Sequence, residues 1–188
     1  MTAADARFAD VYESFFRRVY AYCLRRIAAD RVDDAVAEIF LVAWRRIDEV
    51  PEGEAVLPWL YGVAFKVLST QRRGRSRQRQ LEAKLTAVGV APIKSAEDFV
   101  VSSSESDQVF RALARLKRTD QEILMLTVWE ELPHAEIAIA LGISVGAVKQ
   151  RAHHARHNLT REYTRLEKSH IKPLAAQKGG GRWQPKTG

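Results

Sequence analysis

The pattern that most constrains this chain is where its apolar residues fall. They recur at helical spacing through one stretch, lose that spacing for about 25 residues, and resume it in a second stretch. Phe8, Val11, Tyr12, Phe15, Val19, Tyr22, Cys23 and Ile27 form a stripe through residues 5–28. A second helix is expected from Asp33, with Asp34 suited to its first turn. Val36, Phe40, Ala43, Trp44 and Ile47 share one of its faces, and Ile39, Leu41 and Val42 make its other faces apolar too. Pro51, Gly53 and Pro58 mark a loop. A third helix starts around Pro58, a tolerated first-turn proline, and runs through Leu68 into the basic run Arg72, Arg73, Arg75, Arg77 and Arg79.

From Leu81 to Asp107 the texture changes. Gly89, Pro92 and three consecutive serines appear, and acids outnumber bases, which reads as a linker with some helix in its first part. Periodicity returns from Gln108 to Tyr163. Thr119 and Glu122 have the spacing of a capping box, and two shorter helices are expected after Pro133. The glycine-rich end reads as a flexible tail. The expected fold is all-α: two small helical domains, residues 5–80 and 108–165, joined by a flexible acidic linker over 81–107, with a tail from 166 to 188.

Composition narrows the function classes. The chain has 188 residues, of which 46% are hydrophobic, so a sizeable core can form. One cysteine, Cys23, rules out a disulfide framework or a cysteine-based metal site and fits the reducing cytoplasm; on the apolar stripe it reads as a buried structural thiol. No secretory signal or uninterrupted apolar span appears, so no membrane insertion is expected. The net charge of +7 favours a polyanionic partner, with the position of the charge deciding which. No glycine-rich phosphate loop, metal-ligand cluster or nucleophile motif is present, so neither catalysis nor a cofactor is expected.

The sharpest motif spans His134–Arg151. Ala138, Gly142 four residues on and Val148 six after that let two short helices cross closely around a turn, and Ser144 is a good N-cap for the second. This is the helix-turn-helix arrangement, whose second helix enters the major groove. Its exposed face carries Lys149, Gln150, Arg151, His153, His154, Arg156 and His157. Arg and Lys contact guanine edges or phosphates, and Gln can pair with adenine. The histidines lack an acidic or cysteine partner and are not read as a metal site.

The stretch ALARLKRTDQEILMLTVWEELPHAEIAIALGISVGAVKQRAHHAR resembles region 4 of extracytoplasmic-function sigma factors. DDAVAEIFLVAWRRI resembles their region 2.2, and LPWLYGVAFKVLSTQRRGRSR their regions 2.3 and 2.4. The resemblance covers about residues 8–160 in the expected order. It implies a factor that binds core RNA polymerase through its beta-prime and beta subunits, recognises minus-35 and minus-10 promoter elements, helps melt the DNA, and is held in check by an anti-sigma factor. By match to the motifs, Ser144, Ala147, Lys149, Gln150, Arg151, His153 and His154 fall at minus-35 positions. Lys66, Thr70, Arg72 and Arg73 fall at minus-10 positions. Asp34, Glu38, Ile39, Phe40, Val42 and Trp44 fall in the polymerase-binding helix. Ala37, Phe65, Lys66 and Thr70 depart from residues common in the family, so the minus-10 preference is unread. The competing reading is a helix-turn-helix regulator that acts without the polymerase.

Overall fold

The computed structural model describes residues 2–85 and 104–170. Seven α-helices build it: α1 (Ala3–Leu24), α2 (Val32–Arg45), α3 (Val56–Leu85), α4 (Ser104–Ala114), α5 (Arg118–Val128), α6 (His134–Leu141) and α7 (Val145–His170). Among the described residues there is no strand. Most of the expected linker, and the tail beyond His170, lie outside the described residues. The linker's first residues, 81–85, continue α3, and 104–107 open α4.

Helices α1, α2 and α3 pack on one another. Thr2 caps α1 in a reciprocal box: its hydroxyl accepts from the Asp5 amide at 3.2 Å while its own amide donates to the Asp5 carboxylate at 2.6 Å. Large rings then knit α1 to α2. The ring centroids of Tyr12 and Phe40 lie 4.8 Å apart and those of Phe8 and Trp44 5.1 Å apart, both edge-to-face. Pro58 sits in the first turn of α3, where its missing amide costs no hydrogen bond. Two short 3-10 turns, Ile47–Glu49 and Gly53–Ala55, fill the loop before α3, and Val50 between them is buried.

In the C-terminal half α7 packs against α4, α5 and α6. Small buried residues, Ala112, Ala138, Ala140, Ala152, Ala155 and Val148, lie there beside larger ones such as Ile123, Leu126 and Ile137. Small side chains let helix axes approach closely. Two expectations change. The second helix after Pro133 is not short, since α7 runs 26 residues and takes in positions 166–170 of the expected tail. Thr119 and Glu122 form no capping box, because α5 begins at Arg118 with Lys117 at its cap and no side-chain cap bond. Glu122 is instead 1% exposed, committed to a contact with α1.

That contact joins the two halves. Tyr22 donates to the Glu122 carboxylate at 2.7 Å. Arg26 reaches Glu122 at 3.0 Å and Glu130 at 3.0 Å, and Arg25 reaches Glu130 at 2.5 Å. The Tyr61 ring stacks on Tyr22 at 4.9 Å, and its hydroxyl donates to Glu130 at 3.3 Å. Helix α3 also packs along α6.

Candidate nucleic-acid and polymerase interface

The turn between α6 and α7 is fixed by three local devices. Gly142 adopts φ 64° and ψ 38°, the left-handed region that side chains with Cβ avoid. Its amide donates to the Ile139 carbonyl, and the next amide, of Ile143, donates to the Ala138 carbonyl at 3.1 Å. This pairing closes the end of α6 as a Schellman motif. The Ser144 hydroxyl then accepts from the Ala147 amide at 3.2 Å, satisfying one of the free amides that open α7. Ile143 and Val148 join the same apolar cluster, at the spacing of a hydrophobic staple. The helix-turn-helix expected from residues 134–151 is therefore present, with its N-cap and its left-handed glycine where the sequence placed them.

Packing decides which face of α7 is free. Val148, Ala152 and Ala155 point into the core, none of them exposed. The intervening Lys149, Gln150, Arg151, His153, His154, Arg156 and His157 are all exposed, so the candidate minus-35 residues share one basic surface. Ser144 is exposed at the turn, and Ala147 is half-buried beside it. Arg151 is the tethered member: its guanidinium lies 3.1 Å from the Asp120 carboxylate, with half its side chain still in solvent. Asp120 thereby orients one cation on this face while Lys149 and Gln150 stay open. A groove of about 560 Å³ runs beside it, lined in part by Lys117, Gln150, Arg151 and His154.

The candidate minus-10 residues lie on α3. Lys66, Thr70, Arg72 and Arg73 are all exposed, and Arg73 donates to the Thr70 hydroxyl at 3.1 Å. They line a cleft of about 840 Å³ whose far wall holds Arg118, Thr119 and Gln121. Burial depresses the Arg118 pKa, with Arg72 adding to the effect and Glu122 opposing it. The cleft is thus cationic on both sides.

On α2 the six candidate polymerase residues divide. Asp34 and Glu38 are exposed, and Glu38 accepts from Gln71 at 2.7 Å. Trp44 is 39% exposed, and Val42 is half-buried. Ile39 and Phe40 are 0% and 3% exposed and pack into the core, so a direct surface role for these two is corrected. Leu41, 45% exposed, is the apolar residue the structure puts on the surface instead. An apolar all-round helix gave no way to tell by sequence which turn faced inward.

Cys23 is fully buried, as its stripe predicted, and burial pushes its thiol up to about 12. Among the described residues no cluster of potential metal ligands is present, and no helix is long and apolar enough to cross a membrane.

Known proteins place these surfaces in context. Residues 106–159 match the family model for sigma-70, region 4. The chain is 32% identical over 136 residues to the RNA polymerase sigma factor NccH of Alcaligenes xylosoxydans xylosoxydans, covering 69% of this chain and 71% of that one. It is 28% identical over 149 residues to the ECF RNA polymerase sigma factor SigL of Mycobacterium tuberculosis, covering 77% and 82%. Among solved structures, the fold is similar to that of CnrH in complex with the cytosolic domain of CnrY, with TM-score 0.54 and 21% identity over 86% of this chain and 88% of that one. It is similar also to the sigma factor RpoE in complex with the anti-sigma factor NepR from Bartonella quintana, with TM-score 0.56 and 18% identity over 84% and 96%. With two helical halves, a capped helix-turn-helix in the second and a relative of this similarity, the chain belongs to the extracytoplasmic-function sigma factors of bacterial RNA polymerase.

Proposed function

We propose that the chain joins core RNA polymerase, working in the cytoplasm, and directs it to a set of promoters without carrying out a chemical step of its own. The observation that carries this reading is the α7 face, where Lys149, Gln150, His153 and His154 stand exposed together on a helix whose opposite side is locked into the core. A fixed helix with free polar ends is what base reading in the major groove requires. In this reading residues 108–165 read the minus-35 element. Residues 5–80 bind the polymerase and the minus-10 element, through Asp34, Glu38, Val42 and Trp44 on α2 and through Lys66, Thr70, Arg72 and Arg73 on α3. Contacts from the arginines to phosphates make binding fall steeply with salt. The sigma factor RpoE from Bartonella quintana, similar in fold, has been solved with an anti-sigma factor, which supports an anti-sigma partner for this chain as well.

Run-off transcription with purified core polymerase tests the proposal. The chain should support transcription from a subset of a promoter library, and a chain that fails to bind core would leave only a regulator that works through its helix-turn-helix. Lys149→Ala and Gln150→Ala should each weaken minus-35 recognition by about 1–3 kcal/mol, roughly 5- to 150-fold, while core binding holds. If both variants transcribe normally, the reading face lies elsewhere.

A further inference from the structure

We propose that the cleft between α3 and α5 is a binding site for a nucleoside polyphosphate, its phosphates held by Lys66, Arg72, Arg73 and Arg118 and its base laid against Phe65 and Leu116. This goes beyond promoter recognition. Lys66, Arg72 and Arg73 also belong to the proposed minus-10 surface, but Phe65, Ser69, Leu116 and Arg118 do not, and all of them line the cleft.

Charge sets the sign of the ligand. One wall supplies Lys66, Arg72 and Arg73, the other supplies Arg118, and no carboxylate is among the described residues that line the cleft. Burial, with Arg72 adding to it, holds the Arg118 pKa below its usual range. Glu122 opposes that shift but is already engaged by Tyr22 and Arg26. An anion seated between the walls relieves the repulsion. Hydrogen bonding points the same way. The Ser69 hydroxyl and the Arg118 Nε are shut off from solvent with no hydrogen-bond partner. A buried donor left unpaired has lost its hydration without replacement. The Arg118 Nη1 is held only by the Gln121 Oε1, at 3.4 Å. Phosphate oxygens suit a guanidinium best, because its planar fork meets two of them through parallel N–H bonds. A small rotamer change at Ser69 or Arg118 brings either donor to such an oxygen.

Size and lining call for more than a free phosphate. The cleft encloses about 840 Å³, within the roughly 300–1,000 Å³ of small-molecule sites. Phe65 and Leu116, both half-buried, give it apolar surface beside its cations. An aromatic ring is a platform for any base, whatever hydrogen bonds its edges make. A ligand with one flat end and one polyanionic end satisfies both parts of the cleft. Duplex DNA keeps its bases stacked inside and offers such a site only phosphates.

Titration calorimetry on the purified full chain tests the site. Neither polymerase nor promoter is present, so the promoter reading can fail without touching the result. GTP and ATP should each saturate a single site, about fivefold or more tighter than sodium pyrophosphate, which has no base to stack. Guanosine, which has no phosphate, should bind about tenfold or more weaker than GTP. These comparisons use the wild-type chain and depend on no variant folding. Arg118→Gln removes one cation and should weaken GTP about tenfold or more. Phe65→Leu keeps apolar bulk but loses the ring, and should weaken GTP while leaving pyrophosphate unchanged. Failure of both nucleotides to saturate overturns the site. So does an Arg118→Gln variant with wild-type affinity. Pyrophosphate binding as tightly as GTP leaves an anion subsite only and overturns the nucleotide assignment. A short single-stranded oligonucleotide that binds tighter than GTP, and loses as much to Arg118→Gln, makes the cleft part of the DNA surface and overturns the proposal as well.

Discussion

The two halves of this chain join their helices with different materials. The N-terminal half joins its helices through large rings: the buried Phe40 meets Phe8, Tyr12 and Phe16, Phe8 meets the exposed Trp44, and Tyr22 stacks on Tyr61 between α1 and α3. The C-terminal half has no such ring cluster: aliphatic side chains such as Ile123, Leu126 and Ile137 pack beside the small Ala112, Ala138, Ala140, Ala152, Ala155 and Val148 on α4, α6 and α7. Rings bury much area per residue and hold helices apart at full side-chain distance. Alanines bury little but bring helices close, which is what a short helix-turn-helix needs to fix the angle of α7. The rings provide a stable platform, and the small residues set the pose of α7, which in the proposed function is the reading helix.

Phe40→Ala puts the first half of that comparison under the heaviest load. It removes a 3% exposed ring that three aromatic neighbours surround. The expected loss is about 3–5 kcal/mol in a urea denaturation of the whole chain, comparable to the stability of a small domain. A loss under about 1 kcal/mol would mean that the ring faces a partner rather than the core, and would restore Phe40 to the polymerase-binding set.

Ala152→Leu loads the second half. Ala152 is fully buried on the inner side of α7, so three added carbons must push the helix outward. Overpacking of this kind costs about 1–3 kcal/mol. The informative readout is DNA: a displaced α7 should weaken minus-35 binding even though Lys149 and Gln150 are untouched, and salt dependence should stay as it was. Unchanged DNA affinity alongside lost stability would show that the small-residue core does not govern the pose of the reading helix.

The same contrast explains what could be read from sequence. The helix-turn-helix was legible because its devices are local: Gly142, Ser144 and Val148 act within one turn of their own positions. The helices on either side of the expected linker were legible from periodicity. The inward turn of α2 was not, because Ile39, Phe40, Leu41 and Val42 are all apolar, and only the neighbours α1 and α3 choose which are covered. Glu122 was misread for the same reason. A carboxylate three residues after a threonine fits a cap, but its partner Arg26 lies 96 residues away, beyond any local pattern. A charged residue next to an apolar stripe, such as Arg26 beside Tyr22 and Cys23, was the one available hint.

The smallest expected effect separates the halves by pH. Burial raises the Cys23 thiol to about 12, and burial together with Glu130 raises the Tyr61 phenol to about 12. Both groups belong to the N-terminal half. Each is held protonated in the fold beyond the pH at which it would ionise in an unfolded chain, about 8.5–9 for the thiol and about 10 for the phenol. A group whose pKa is raised by folding stabilises the fold fully below its unfolded value, and that contribution is lost as pH climbs through the folded value. Stability measured by thermal melting should therefore be level up to about pH 8.5 and decline progressively towards about 12. Phenolate absorbance from Tyr61 should appear late in that decline, and Tyr61→Phe should remove that part of it. An early phenolate signal in the wild type that Tyr61→Phe removes, at constant stability, would show the Tyr61 hydroxyl already open to solvent, and with it the junction between the two halves.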